Sequence, residues 1–143
     1  MFTLVKDFRF EAAHKLPHHD GKCARLHGHS WRGSIIVSGQ ILNVSGPKAG
    51  MLVDYGVLSA TVEPLITKYL DHWYLNESLA IENPTSEMIA SWLWGMVLRH
   101  LAMKGYSVKL VAVVIQETCT ARCIYTGGSE VSAAELEALG QES

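Results

Sequence analysis

The chain carries the segment Cys23-Ala24-Arg25-Leu26-His27-Gly28-His29, which runs into the strand-forming residues 30–42. Side chains alternate between the faces of an extended strand, so His27 and His29 would project from the same face. Neutral imidazole is a common zinc ligand in proteins. The spacing therefore predicts a metal site at the start of a β-strand, with Cys23 as a third ligand or a nearby base.

The predicted ligand set is incomplete, which is typical of a catalytic metal site. Structural zinc sites usually have four protein ligands, whereas catalytic sites keep three and leave one position open. A further ligand would come from His14, at the end of the first predicted strand, or from the loop residues His18 and His19. Spacing alone does not choose between these sources. The alternative interpretation is that His27 and His29 are exposed strand residues.

The rest of the chain predicts strands on either side of a helical region. The predicted strands, rich in β-branched and aromatic residues, cover 2–13, 30–42, 108–117 and 120–126. Asp54 and Thr85 are suitable N-caps for the two helices between them, and Pro64 should kink or break the first helix. The order ββααββ is typical of an α+β fold with an antiparallel sheet and helices on one face.

The composition is that of one globular domain. The 143 residues are 48% hydrophobic and 18% charged, and the formal net charge is -2. The chain lacks a basic block and an apolar run of about 18 residues, so we expect neither nucleic-acid binding nor a membrane span. Its three cysteines suggest reduced thiols in a cytoplasmic protein.

Two carboxylates stand where each needs a specific partner. Asp71 precedes His72 at the end of the first predicted helix, where it can fix the ring tautomer and stabilise the imidazolium. The alternative is a turn-forming aspartate beside a surface histidine. Glu117 shares a strand face with Val113 and Ile115, so it needs either an internal cation or a ligand with adjacent N–H donors.

Five segments occur in an order that resembles one known family. They are Phe8-Arg9-Phe10-Glu11-Ala12-Ala13-His14, Cys23-x-x-x-His27-Gly28-His29, Leu70-Asp71-His72, Asn83-Pro84-Thr85-Ser86-Glu87 and Glu117-Thr118-Cys119-Thr120. Together they resemble the 6-pyruvoyltetrahydropterin synthase family over nearly the whole chain. The ending Cys119-Thr120-Ala121-Arg122-Cys123-Ile124-Tyr125 is most similar to the bacterial branch of this family, which acts in queuosine biosynthesis.

The resemblance implies a fold and an assembly. The fold is the tunnelling fold (T-fold), in which the antiparallel sheets of several subunits join in a barrel. The implied assembly is a homohexamer, a dimer of trimers with active sites at subunit interfaces. The pterin synthase domain would cover residues 1–128, and residues 129–143 would be a C-terminal extension, in which 133–139 suggest a short helix.

The resemblance also implies the site residues. Zinc would be held by His14, His27 and His29, which favours His14 over the loop histidines as the third ligand. The catalytic positions of the family are matched by Cys23, Asp71 and His72. The positions that bind the pterin are matched by Glu117, Thr85 and Ser86. We add Arg25, with Lys15 and Lys22, as candidate contacts for a triphosphate group, since all three are close to the metal motif in sequence.

The implied substrate is a small molecule, 7,8-dihydroneopterin triphosphate. It would be converted to 6-carboxy-5,6,7,8-tetrahydropterin with release of acetaldehyde and triphosphate. Cys23, as the thiolate, would remove a carbon-bound proton, and His72, held by Asp71, would handle an oxygen-bound proton. One alternative is an enzyme of the same fold that stops at 6-pyruvoyltetrahydropterin. Another is a zinc- or pterin-binding module without catalysis, which would not need these three residues.

Overall fold

Five strands form one sheet in the computed structural model, which describes residues 1–128. They are β1 (Phe2–His14), β2 (His27–Gly39), β3 (Trp73–Tyr74), β4 (Lys109–Thr118) and β5 (Ala121–Tyr125). Their order across the sheet is β3-β1-β2-β4-β5. Neighbouring strands are antiparallel, except that β3 runs parallel to β1. The extension 129–143, with the helix predicted at 133–139, lies outside the described residues.

The pairing of β1 with β2 is the longest in the sheet and runs along both strands. Phe10 lies opposite Trp31, and their rings stack with centroids 5.7 Å apart. Phe8 lies opposite Gly33, where an added Cβ would be 2.3 Å from the phenyl ring, so the glycine leaves room for it. These aromatic pairs favour a single register. That register brings the end of β1 beside the start of β2.

The first helical segment changes its geometry near its end. The helix α1 (Tyr55–Leu65) starts after Asp54, whose Oδ1 accepts a hydrogen bond from the Gly56 amide at 2.8 Å. Pro64 lies in the last turn of α1, and Ile66–Leu70 continue as a π-helical turn. Proline has no N–H to donate to the preceding turn, so the regular hydrogen-bond ladder is interrupted. The predicted cap and the predicted break are both confirmed.

Two more helices follow, α2 (Leu75–Ser78) and α3 (Ser86–Met103). Thr85 caps α3 as predicted, since its Oγ1 accepts a hydrogen bond from the Met88 amide at 3.2 Å. The side of α3 that packs against the sheet carries the buried residues Ile89, Ala90, Leu93, Val97 and Leu101. None of the described helices is both long and apolar enough to cross a membrane.

The α+β prediction is confirmed: an antiparallel-dominated sheet carries the helices on one face. The elements β3 and α2 were not predicted, because runs of two and four residues are too short to show a periodicity. Strand β2 begins at His27 rather than at residue 30. Its pairing with β1 extends it beyond its strand-forming residues, and the histidine pair therefore lies inside the strand.

Candidate functional site

Three histidine side chains converge where β1 ends and β2 begins. They are His14, His27 and His29, and their candidate ligand atoms all lie within 4.8 Å of one another. The register sets His14 opposite His27, and His29 follows on the same strand face. His14 is fully buried, while the other two rings are half-buried. His18 and His19 are exposed and lie outside this group.

Main-chain carbonyls fix the orientation of two of the rings. Nδ1 of His14 lies 2.9 Å from the Pro84 oxygen, and Nδ1 of His27 lies 2.7 Å from the Arg25 oxygen. A carbonyl oxygen only accepts hydrogen bonds, so Nδ1 must carry the proton in both rings. The lone pair is then on Nε2, which faces the centre of the cluster. This is the usual arrangement of a histidine that binds a metal through Nε2.

The three Nε2 atoms of the cluster fit a cation. Those of His14, His27 and His29 are all buried, and none has a hydrogen-bond partner. Buried polar atoms nearly always have a partner, so three unsatisfied atoms at one point indicate a missing ligand. A divalent ion that accepts three imidazole lone pairs would satisfy all of them.

Burial favours the neutral form of His14 and His29, which is the form that a metal needs. Desolvation lowers the pKa of His14, and it outweighs the opposing effect of the hydrogen bond to Pro84. Desolvation also lowers the pKa of His29, although the nearby Glu117 carboxylate acts in the other direction. Both rings are therefore neutral at neutral pH, and neutral imidazole is the form that coordinates metals.

Glu117 reaches the cluster from β4. It lies at a break in the β4–β5 register, between Gln116 and Thr118, and such bulges redirect side chains. Its Oε1 is 3.3 Å from Nε2 of His14 and 3.5 Å from Nε2 of His29. Among residues 1–128 no lysine or arginine forms an ion pair with this carboxylate, and its near neighbours are these two imidazoles. The side chain is 29% exposed, so a ligand can still reach it.

Two cavities border the cluster. One, of about 640 Å³, is lined by His29 and Glu117 together with Gln116 and Cys119. The other, of about 540 Å³, is lined by His29 and by His72. Both volumes are in the range of small-molecule binding sites. His29 therefore lies between the carboxylate of β4 and the turn that carries His72.

Asp71 and His72 form a tight turn after the π-helical segment. His72 has a φ of 63°, in the left-handed region that is uncommon for residues other than glycine. Its amide donates to the Glu11 carbonyl at 2.6 Å, and the Glu11 amide donates to Asp71 Oδ1 at 2.8 Å. Oδ2 of Asp71 is 2.9 Å from Nδ1 of His72. These contacts, the Glu11 amide first, hold the pKa of Asp71 below its ordinary value.

The other predicted site residues are not members of the three-histidine cluster. Cys23 is half-buried in a 3₁₀ turn, Lys22–Ala24, and no hydrogen bond or ion pair of the described chain joins it to His72. Arg25 has an exposed side chain, and only its carbonyl contacts the cluster. Thr85 and Ser86 begin α3, directly after the carbonyl that holds His14.

Sequence reasoning missed the main-chain contacts of the site. The carbonyls of Arg25 and Pro84 orient two rings, and every residue has a carbonyl, so no residue type marks them. The one available signal was the helix start at Thr85, which places Pro84 at the end of a loop. The side chain of Asn76, which bonds to the loops around His14, was also missed.

Comparison with known proteins identifies the family of the chain. Residues 3–128 match the family model described as 6-pyruvoyl tetrahydropterin synthase. The chain is 47% identical over 125 residues to a Synechocystis protein named 6-carboxy-5,6,7,8-tetrahydropterin synthase, covering 87% of this chain and 93% of that protein. It is 32% identical to the Bacillus subtilis protein of the same name, covering 87% of this chain and 84% of that one.

The fold has close counterparts among solved structures. The 6-pyruvoyl tetrahydropterin synthase of Caenorhabditis elegans superposes with a TM-score of 0.72, covering 89% of this chain and 96% of that one. The two sequences are 24% identical in the superposition, so this likeness concerns the fold. The T-fold prediction is confirmed for the single chain, and the barrel of several subunits stays a prediction.

Proposed function

The chain belongs to the 6-pyruvoyl tetrahydropterin synthase family, and we propose that it is a zinc-dependent lyase of its queuosine branch. It would convert 7,8-dihydroneopterin triphosphate and one water to 6-carboxy-5,6,7,8-tetrahydropterin, acetaldehyde and triphosphate. The observation that carries this proposal is the convergence of three buried, unsatisfied Nε2 atoms beside Glu117. The name of the Synechocystis relative supports the choice of product.

His14, His27 and His29 are the residues that would hold zinc. When bound there, zinc would supply a Lewis acid for the oxygen atoms of the substrate side chain. The protein contributes two rings, His14 and His27, that main-chain carbonyls already orient. Little reorganisation is needed on binding, which favours affinity and a fixed geometry.

Glu117 is proposed to bind the pterin ring. An ionised carboxylate accepts hydrogen bonds at both oxygens, and the pterin presents a 2-amino group beside a ring N–H. The carboxylate borders a cavity of about 640 Å³ next to His29, so a ring held by it would place its side chain near the metal ligands. Thr85 and Ser86, at the start of α3, are proposed as further pterin contacts, although neither lines this cavity within the described chain.

Cys23, Asp71 and His72 are proposed to move protons. Cys23, as the thiolate, would remove a carbon-bound proton of the substrate side chain. His72 would take an oxygen-bound proton on Nε2, because Asp71 accepts from Nδ1 and so fixes the tautomer. The side chain of His72 is 79% exposed, which suits a group that meets a substrate arriving from outside the chain.

A homo-oligomer, a dimer of trimers, would close the open parts of the sheet. The outer edge of β1 pairs with β3 only at Ala12 and Ala13, and Glu11 bonds to the turn at Asp71 and His72, so residues 2–10 present an unpaired edge in the described chain. A long unpaired edge favours pairing with another strand. Ile36, Ala112 and Val114 form a separate apolar cluster from that beneath the helices. A barrel formed with other copies would pair the edge and enclose this cluster.

Product analysis tests the proposed function. Zinc-loaded protein is incubated with 7,8-dihydroneopterin triphosphate, and acetaldehyde is assayed together with the pterin product. We expect acetaldehyde in equal amount to a 6-carboxylated pterin. Release of triphosphate without acetaldehyde would show that the chain stops at the 6-pyruvoyl product, the reaction that gives the family model its name. Absence of turnover, with zinc and pterin bound, would favour a binding module.

A further inference from the structure

Asn76 bonds to more of the main chain than any other described side chain near the cluster. It lies on α2, the single helical turn after β3. Its Oδ1 accepts from the Lys15 amide at 3.0 Å, and its Nδ2 donates to the Lys15 carbonyl at 2.8 Å and to the Glu82 carbonyl at 3.0 Å. One carboxamide therefore uses both of its donor hydrogens and one acceptor position.

The two segments that Asn76 joins are those that position His14. Lys15 directly follows His14 at the end of β1. Glu82 lies in the loop that leads to Pro84, whose carbonyl accepts the hydrogen bond from Nδ1 of His14. Asn76 thus closes a ring of contacts from the backbone beside His14 to the carbonyl that holds its imidazole.

We propose that Asn76 is a positioning residue for the metal ligand His14. It fixes the distance between the end of β1 and the loop before α3, and the Pro84 carbonyl then holds the imidazole with Nε2 toward the other two rings. The inference rests on the metal role proposed for the histidines. It assigns no contact between Asn76 and either metal or substrate.

Asparagine is chemically specific at this position. Aspartate has the same size and can still accept from the Lys15 amide, but it has no hydrogen to donate. Its second oxygen would face the carbonyls of Lys15 and Glu82, which are also acceptors. In Asn76→Asp the carboxylate would therefore repel the carbonyls of Lys15 and Glu82, while the volume of the side chain stays the same.

The test compares Asn76→Asp with Ser78→Ala. Ser78 lies on the same helical turn, but its Oγ donates to the Tyr69 carbonyl at 2.6 Å and so ties α2 to the π-helical segment instead. Zinc affinity is measured by chelator competition. We expect Asn76→Asp to weaken it by about tenfold or more, in the range seen for residues that support metal ligands. Ser78→Ala should leave it within about twofold, since that bond does not reach the loops at His14.

A ring-proton measurement separates positioning from a general loss of stability. In metal-free, nitrogen-15-labelled protein the exchange rate of the His14 Nδ1–H is compared with that of His27, whose partner is the Arg25 carbonyl. Asn76→Asp should speed exchange at His14 by about tenfold and leave His27 unchanged, because only the His14 bond loses its support. Equal change at both rings, or no change at His14, would overturn the positioning role.

The unaltered chain gives an independent result if Asn76→Asp does not fold. Both Nδ2 hydrogens of Asn76 are bonded in the structure, so both should exchange slowly with solvent. Exchange at the rate of an exposed carboxamide would refute the proposal. Failure of the wild-type chain to bind zinc would instead refute the metal role. The ring-proton result would remain valid, because it is measured on metal-free protein.

Discussion

His14 and His72 are histidines of one domain in opposite surroundings. His14 is fully buried, and its Nδ1 is held by a main-chain carbonyl, whereas the side chain of His72 is 79% exposed and is held by the neighbouring Asp71. The His14 cluster is complete within a single chain, since its three rings meet without any outside group. The His72 turn lies at the sheet edge, where Glu11 of β1 and Ile66 of the π-helical segment bond to it.

This difference separates binding from proton transfer. Rings packed in a buried corner have fixed orientations, which a metal ligand needs. A group that exchanges protons must instead meet substrate and solvent, so exposure suits it. Substitutions in the two regions should therefore have separable effects, on metal affinity in one and on turnover in the other.

The largest effect is expected from His27→Ala. Removal of a direct ligand should weaken zinc binding by more than about a hundredfold, which exceeds the usual effect of losing a supporting residue, and activity should be lost with the metal. Zinc content and turnover are measured together. His18→Ala is the matched control, since His18 is an exposed loop histidine outside the cluster. Full zinc content and full turnover in His27→Ala would contradict the metal assignment.

Cys23→Ala should separate the two functions most clearly. Loss of the proposed base should lower turnover by about a hundredfold to ten-thousandfold. Zinc content should stay at the wild-type level, because the Cys23 thiol lies outside the three-histidine group. Turnover and metal content are determined on the same sample. A loss of zinc would make Cys23 a ligand and remove the division of roles.

Glu117→Gln should weaken substrate binding without removing the metal. The amide has the same shape but lacks the charge, so it loses charge-assisted hydrogen bonds to the pterin. The expected decrease in affinity for the substrate is about tenfold to a hundredfold. It is measured as substrate dissociation in Cys23→Ala background, where turnover is slow. Glu63→Gln, an exposed carboxylate on α1, is the control; equal affinities in both variants would argue against the anchor.

Arg25→Ala should have a smaller effect, confined to the triphosphate. The Arg25 side chain is exposed, and single exposed ion pairs contribute little, so KM should rise only about two- to fivefold. Zinc affinity should not change, since the main-chain carbonyl that holds His27 remains. Arg99→Ala on α3 serves as the control. An unchanged KM would remove Arg25 from the proposed substrate contacts.

The smallest effect is expected in acid, from Asp71. Its pKa is lower in the folded chain than its ordinary value of 3.8, so its ionised form stabilises the fold above that pH. This contribution is lost as the pH falls through the lowered pKa. Asp71→Asn should therefore be less stable than wild type at neutral pH and lose less stability on acidification. Urea midpoints at neutral and acid pH measure this; parallel pH profiles would exclude the linkage.

The fold was largely predictable from residue patterns. Long amphipathic or apolar segments, such as α3 and β4, have enough residues for their periodicity to be read. The start of β2 at His27 was not predicted, because His and Gly are not strand formers and only the pairing with β1 extends the strand there.

Only the part of the site that depends on the type and spacing of side chains could be predicted from the sequence. His27 and His29 follow from spacing, and the family resemblance implied His14, which the structure brings to them. The approach of Glu117 to His14 and His29 depends on a bulge between β4 and β5, which a local pattern does not show. The hydrogen bond between Asn76 and Lys15 joins residues 61 positions apart in sequence, so a local sequence pattern does not show it.

Because the carbonyls of Pro84 and Arg25 orient two rings, the cluster should tolerate point substitutions at these two positions better than insertions or deletions near them. Main-chain oxygens are present whatever residue occupies a position, so point substitutions at 25 and 84 preserve these contacts as long as the local backbone path is kept. An insertion or deletion in either loop moves the oxygen itself. Homologues should therefore conserve the length of both loops.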